Sequence, residues 1–341
     1  MPLVSFLMSN YRTPTAFLRQ ALDSMLEQTV TDLEVIVIND GVKDASYEML
    51  LTYAAADARI RLIENKKNLG LPASLNKGLS VCRGKYIARM DTDDICYPDR
   101  LEKQTAFMEA HPEVMFAGAW ADVFSETPEQ ITQRWRPVMC GREEYRIRLL
   151  FSGEPFLIHP TVIFRRSFLE ENGLRYSEDP MYRYAEDYEF WTRCADHGAA
   201  GILEAPVLYY RASETQNRIT VSRADEMSRC VANVQRRLFV RLEIEDLFDP
   251  ALNYRLLSGR KPFDLRYKRW LSLILQKNAE KQIYDHDLLL RLLHDRWYNI
   301  VYYAIAEEKS PFKRLRYLCS LYPDGFPRFV RDLTGRGERK P

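Results

Sequence analysis

The chain has 341 residues, 46% hydrophobic and 28% charged, with 49 Lys/Arg against 48 Asp/Glu and a formal net charge of +1. That length can bury a sizeable core, as one large domain with an appendage or as two domains. No run of about 18 apolar residues is present, which argues against a helical membrane span. The six scattered cysteines (Cys82, Cys96, Cys140, Cys194, Cys230 and Cys319) form no CxxC pair, which argues against a zinc site or a disulfide framework and for a reducing cytoplasm.

In chain order, Leu3-Val4-Ser5-Phe6-Leu7-Met8 reads as a strand with no basic leader before it. Thr15 to Gln28 reads as a helix with Phe17, Leu18, Ala21, Leu22 and Met25 on one face. Leu33 to Ile38 is a second buried strand ending in the turn Asn39-Asp40-Gly41. A helix over about Ser46–Ala56, a short strand Ile60–Ile63, a helix Leu71–Cys82 and a strand Lys85–Met90 follow, and a further helix starts near Pro98-Asp99. Strands alternating with helices of this length predict βαβ units and a mostly parallel sheet flanked by helices. Ligands of such sheets sit beyond the carboxyl ends of the strands. Ser9-Asn10-Tyr11, Asp40 and Asp91–Asp94 all fall there, so three strands deliver polar groups to one crevice.

Residues 114–222 are less regular, with strand-like runs at Thr161–Phe164 and Val207–Tyr210. Beyond 222 the pattern is helical, Arg-rich and Leu-rich. The net charge also divides there: residues 1–222 carry 25 Lys/Arg against 32 Asp/Glu, and residues 223–341 carry 24 against 16. We therefore expect a domain over 1–222 and a basic helical region over 223–341, suited to an anionic surface or to oligomerisation.

Asp91-Thr92-Asp93-Asp94 places three carboxylates in four residues at a strand end. Like charges this close repel and raise one another's pKa. A cation relieves the repulsion, and hard oxygen donors suit Mg²⁺ or Mn²⁺ shared with substrate phosphates. The bland alternative is an Asp-rich helix start. No glycine follows the first strand and no GxxxxGKS motif exists, so dinucleotide and P-loop readings fall. An Asp-x-Asp phosphatase would carry its motif on the first strand rather than the fourth.

These residues resemble glycosyltransferase family 2, inverting enzymes of the GT-A fold. The resemblance rests on Ser9-Asn10-Tyr11, Leu22–Thr29, Val35–Gly41, Asn68-Leu69-Gly70 with Asn76-Lys77-Gly78, and Gly84–Asp94, in that order. His159-Pro160-Thr161, Arg165-Arg166 and Tyr184–Trp191 extend it to about residue 217. Ile87-Ala88-Arg89, Gly173–Tyr176 and Ala185–Tyr188 with Phe190-Trp191 are most similar to bacterial lipooligosaccharide β-1,3-N-acetylhexosaminyltransferases.

The resemblance implies a UDP-sugar donor, a glycan or lipid-linked oligosaccharide acceptor, and Mn²⁺ or Mg²⁺ at a DXD motif. It implies Asp40 reading the uracil, Tyr11 packing on the base and Ser9 on the nucleoside, although Asn-Asp-Gly is also a plain turn signal. Asn68, Gly70 and Asn76 would shape the next loop against the nucleotide, or only start and cap a helix. Asp93 is the expected metal ligand, with Asp91 supporting the metal, ribose or sugar, and Asp94 behind them or capping a helix. Asp187 is the expected base, or part of an acidic helix start together with Glu186. Contacts to donor sugar or acceptor are assigned to His159, Glu186, Trp191 and Arg211, with Trp191 alternatively a core residue and His159 a structural one. Ser213 stands where relatives carry histidine, and Gln216 follows nearby. The transferred sugar is expected to be GlcNAc or GalNAc, with Gal or Glc, or binding without catalysis, as alternatives.

Lys313–Leu318 and Phe326–Arg331 interleave cations with aromatics, which suits the interface of an anionic leaflet or an ordinary helix bundle. No nucleic-acid-binding motif accompanies the charge. The expected location is cytoplasmic, peripheral on the membrane.

Overall fold

The computed structural model describes residues 1–138, 141–151, 157–212, 224–248 and 265–321. Ser213, Gln216, Cys140 and the basic segment from Tyr322 onward lie outside the described residues. The described chain divides into two compact units, Met1–Tyr145 with Glu154–Cys230, and Arg146–Gly153 with Val231–Pro341.

In the first unit, β1 (Val4–Asn10), α1 (Thr15–Leu26), β2 (Leu33–Asn39), α2 (Ala45–Ala56), β3 (Ile60–Glu64), α3 (Leu71–Leu79) and β4 (Tyr86–Met90) alternate as the periodicity predicts. Every residue of β2 and β4 is buried, because helices cover both faces of these parallel strands. β5 (Ile95–Cys96), α4 (Arg100–Ala110), β6 (Val114–Phe124), β7 (Ile131–Trp135), α5 (Arg142–Phe151, which passes into the second unit from Arg146), β8 (Ile163–Arg165), α6 (Arg166–Glu171), α7 (Glu186–His197) and β9 (Ala199–Arg211) follow. The sheet order is β3-β2-β1-β4-β8-β6-β9-β5, with β7 on the side of β6.

The β3-β2-β1-β4 part is parallel. β8 then enters antiparallel to both β4 and β6, while β6 and β9 run parallel. Strand order reverses at β1, whose neighbours are β2 on one side and β4 on the other. A crevice therefore opens beyond the carboxyl ends of these strands, at Asn10, Asn39 and Met90. Val4, Phe6 and Met8 of β1, Val35 and Val37 of β2 and Ala88 and Met90 of β4 pack on Leu18, Leu22 and Met25 of α1. Each such Leu or Val contributes about 1.5–3 kcal/mol by burial, so the strand ends are held by a rigid base.

The second unit is helical. α8 (Ala224–Arg241), α9 (Leu265–Lys281), α10 (His286–Glu307) and α11 (Pro311–Leu318) follow in order, α8 beginning in the first unit. Leu238, Trp270, Leu271, Ile274, Leu293, Trp297 and Val301 form its core with Ile147 and Leu150 of α5. Asn278 closes the α9–α10 turn by donating to the Tyr284 carbonyl and accepting from its N–H, both at 2.9 Å. Among the described residues no helix is long and apolar enough to cross a membrane.

Candidate active site

At the end of β2, Asp40 is 2% exposed and its carboxylate is almost fully committed. Oδ1 accepts from Asn65 Nδ2 and the Leu69 N–H, both at 2.8 Å, and Oδ2 accepts from the Gly70 N–H at 2.9 Å. Gly41 makes this closure possible. Its φ is +78°, and a Cβ there would lie 2.1 Å from the Lys67 carbonyl carbon. Asn68 Oδ1 also accepts from the Gly70 N–H at 2.9 Å, and Gly70 itself sits at φ +88° before α3. An ionised carboxylate offers about four acceptor positions, so one, on Oδ2, remains after these three bonds.

At the end of β1, Ser9 is partly exposed and Tyr11 is 44% exposed, with the Arg12 guanidinium 5.4 Å from its ring centre. Arg12 adopts φ +55°, a left-handed conformation that swings the chain out of the sheet. Asn10 is buried and donates to Asn39 Oδ1 and Ser46 Oγ, while its own Oδ1 has no hydrogen-bond partner.

At the end of β4, oxygens of Asp91, Asp93 and Asp94 lie within 4.8 Å of one another. Burial and the neighbouring Asp91 push Asp93 up to about 6, against the pull of Arg89 and Arg211. Burial, Asp93 and Asp91 raise Asp94 well above the usual carboxylate range. Asp94 Oδ1 accepts from the Arg211 N–H at 2.8 Å, and its buried Oδ2 has no hydrogen-bond partner. An all-oxygen donor set with crowded negative charge and an oxygen lacking any donor fits a hard divalent cation.

A second acidic pair lies at the start of α7. Glu186 and Asp187 occupy its first turn, where the helix dipole favours anions. Asp187 Oδ1 accepts from the Tyr188 N–H at 2.7 Å. Burial and Asp187 push Glu186 up to about 8. Burial also raises Asp187, with Tyr188 N–H and Arg89 opposing and Asp91 adding to the rise. His159 Nε2 lies 2.8 Å from the Tyr176 hydroxyl, and burial beside Arg89 holds the imidazole neutral.

The family model for glycosyl transferase family 2 matches residues 5–173. An uncharacterised glycosyltransferase of Haemophilus influenzae is 34% identical over 287 residues, which cover 82% of this chain and 97% of that protein. The chain is a family 2 glycosyltransferase. The crystal structure of S. aureus TarS 1–349 in complex with UDP-GlcNAc shares the fold, with TM-score 0.55 and 15% identity over 99% of this chain and 93% of that one. The mannosyltransferase PcManGT from Pyrobaculum calidifontis, solved with GDP-Man and Mn²⁺, does so at TM-score 0.53 and 16% identity, covering 98% of this chain and 88% of that one. The glycosyltransferase thus has a GT-A-like mixed α/β fold with added C-terminal helices.

The structure gathers Ser9, Tyr11, Asp40, Asn68, Gly70, Asp91 and Asp93 at the carboxyl ends of the parallel strands, and electrostatics link Asp91 to Glu186 and Asp187. Three other residues have different surroundings from those a sugar contact requires. Trp191 is fully buried, its ring 5.9 Å from Phe116 and 5.8 Å from Phe164 and Phe190, with His159 edge-on at 5.7 Å. It is a core residue of the transferase and offers no face to a sugar. Asn76 spends its amide on the segment before α7, donating to the Tyr176 carbonyl and Glu178 Oε1 and accepting from the Tyr176 N–H. Arg211 is 4% exposed between the rings of Phe17 and Phe124, at 4.1 and 4.5 Å, and donates to the Asp93 carbonyl and Gln20 Oε1. It braces the acidic loop from β9, and Asp94 is tied to that brace rather than to a helix start.

Sequence reading assigned no role to Asn65 or Arg89. Asn65 links Asp40 to Ser74 Oγ, and accepts from Lys77 Nζ at 2.9 Å. Arg89, 3% exposed within β4, ion-pairs with Asp91.

Proposed function

We propose that the enzyme is an inverting, metal-dependent transferase that moves GlcNAc or GalNAc from a UDP donor to a glycan acceptor with a β linkage, in surface polysaccharide or lipooligosaccharide synthesis. The observation that carries this reading is the crowding of Asp91, Asp93 and Asp94 oxygens within 4.8 Å of one another at the end of β4, with the acidic start of α7, Glu186-Asp187, electrostatically coupled to Asp91. The remaining Oδ2 acceptor position of Asp40 suits the uracil N–H, and Tyr11 presents an exposed ring for the base. Ser9 serves the nucleoside, and Asn68 with Gly70 shapes the loop that Asp40 closes. Asp93 and Asp91 would hold Mn²⁺ or Mg²⁺, which when bound supplies Lewis-acid charge neutralisation at the diphosphate.

The acceptor hydroxyl must lose its proton as it attacks the oxocarbenium-like centre, and Asp187 takes that proton. In-line attack on an α-linked donor from the Asp187 side gives the β product. The TarS structure in complex with UDP-GlcNAc and the PcManGT structure with Mn²⁺ support the donor class and the ion by analogy of fold.

Peripheral contact with an anionic leaflet is part of this proposal. α11 exposes Phe312 at 87% and Leu315 at 60%, beside Lys313, Arg314 and Arg316. Each cation near such a surface contributes about 1 kcal/mol.

The test is release of UDP with Mn²⁺ from UDP-GlcNAc, UDP-GalNAc, UDP-Gal and UDP-Glc, with and without lactose or a lipid-linked acceptor. Acceptor-stimulated release from an N-acetylhexosamine donor is expected. Stimulated release only from UDP-Gal or UDP-Glc would replace the sugar assignment, and UDP binding without turnover on any acceptor would contradict the enzymatic reading.

A further inference from the structure

We propose that Asn76 is a positioning residue: it fastens the segment leading into α7 onto α3, so that the helix carrying the donor loop also sets where Asp187 stands. The inference rests on the readings of Asp187 as the base and of the Asp40 loop as the nucleotide site.

α3 is held at its donor end. Asp40 accepts from the Leu69 and Gly70 N–H groups that lead into the helix, and Asn65 Nδ2 donates both to Asp40 Oδ1 and, at 2.9 Å, to Ser74 Oγ on α3. Pro72, Ser74, Leu75, Asn76 and Gly78 are buried, which seats the helix on β1 and β2. Residues two apart on a helix do not share a face, so Ser74 and Asn76 reach from α3 in different directions.

Asn76 is 7% exposed, and its amide is committed to one segment 100 residues on. Nδ2 donates to the Tyr176 carbonyl at 2.9 Å and to Glu178 Oε1 at 2.8 Å, while Oδ1 accepts from the Tyr176 N–H at 2.8 Å. The side chain thus pairs with residue 176 as a peptide group of a neighbouring strand would, and no N–H remains for a nucleotide. A flipped amide would oppose like groups at all three partners.

The anchored segment locates α7 in turn. The Tyr176 ring centre lies 4.3 Å from that of Phe190, and its hydroxyl is 2.8 Å from His159 Nε2. The Arg175 carbonyl accepts from Arg193 Nη2, and Nε and Nη2 of Arg193 also donate to Glu189. Phe190 and Arg193 follow Glu186 by one and two turns on the same face of α7, so both contacts lie beneath the first turn that holds Asp187.

A base acts only from near-attack geometry, and a misplacement of about 1 Å caused by a change away from the chemistry can cost about a hundredfold. The test uses the full chain with Mn²⁺ and the donor found active. In Asn76→Ala, kcat at saturating donor should fall about ten- to a hundredfold while Mn²⁺-dependent UDP affinity stays within about twofold. Asn278→Ala is the matched control. Asn278 makes the same pairing with the N–H and carbonyl of Tyr284 at the α9–α10 turn, so its loss should lower the melting temperature and leave kcat per folded molecule unchanged.

Wild-type kcat in a folded Asn76→Ala would overturn the proposal. So would UDP affinity falling in step with kcat, or an equal loss of kcat in Asn278→Ala. Should Asn76→Ala not fold, Asn76→Asp carries the test, because it keeps an oxygen on the Tyr176 N–H and sets another against the Tyr176 carbonyl and Glu178; wild-type kcat there would overturn the proposal as well. Wild-type turnover in Asp187→Asn would sink the base assignment itself. An inactive Asp187→Asn beside an unaffected Asn76→Ala would remove only the role of Asn76.

Discussion

Asp40→Asn separates loop closure from base recognition at a single carboxylate. The best orientation of the new amide keeps its oxygen on Asn65 Nδ2 and the Leu69 N–H and turns its NH₂ toward the Gly70 N–H, donor against donor. The flipped orientation is worse, because two donors would then be opposed. Gly70 keeps Asn68 Oδ1, so one hydrogen bond to a charged acceptor is lost, about 1.5–3 kcal/mol. For a folding unit of this size that is about 2–4 °C per kcal/mol, or roughly 3–12 °C in melting temperature. The amide would also face the uracil N–H with a donor, so UDP affinity should fall about ten- to 150-fold. Differential scanning fluorimetry and calorimetric titration with UDP and Mn²⁺ read the two effects. A variant that melts with the wild type and binds UDP equally well would refute both the acceptor count at Asp40 and its assignment to the base.

Asp187→Asn should retain UDP-sugar binding and abolish transfer, measured by titration and product formation. Asp93→Ala should lose Mn²⁺-dependent UDP binding, and an unchanged dependence on Mn²⁺ would overturn its assignment. Trp191→Ala should cost about 3–5 kcal/mol, because it empties an aromatic core contributed by β6, β8 and α7, and any loss of donor affinity should be no larger than the fraction unfolded explains. Glu186, raised to about 8 in the folded chain, binds a proton that the unfolded chain releases near its ordinary value of 4.5. Its contribution therefore favours folding at low pH and is lost as pH rises through that window, so the fall in melting temperature from pH 5 to pH 8 should be smaller in Glu186→Gln than in the wild type. An equal fall in both would contradict this.

The first four strands and their helices are legible because burial on both faces writes continuous apolar runs, and their ends carry short motifs. β6 and β9 are harder. Val114–Phe124 contains Ala-Gly-Ala, and Ala199–Arg211 contains Gly201 and Pro206, residues of low strand propensity. They are strands because they pair with each other, and Pro206 sits opposite Trp120 where the register shifts and a missing N–H is tolerated. The same distinction governs the site. Asp40 and Asp91–Asp94 stand out locally, whereas Arg89 looks like a stray charge in Tyr86–Met90 until the turn after β4 brings Asp91 back onto it. Asn65 acquires its part only when Asp40 folds over it. Trp191 reads in sequence more readily as core than as a sugar platform, and Phe116 and Phe164, arriving from other strands, enclose it.

The central claim is attack on the sugar from the Asp187 side, opposite the departing UDP. The measurement that tests it most directly is the anomeric configuration of the first product, read from its H1–H2 proton coupling by NMR before any equilibration. A β-linked sugar from an α-linked UDP donor is the predicted result. An α-linked product would contradict single-displacement transfer and the placing of Asp187 as its base.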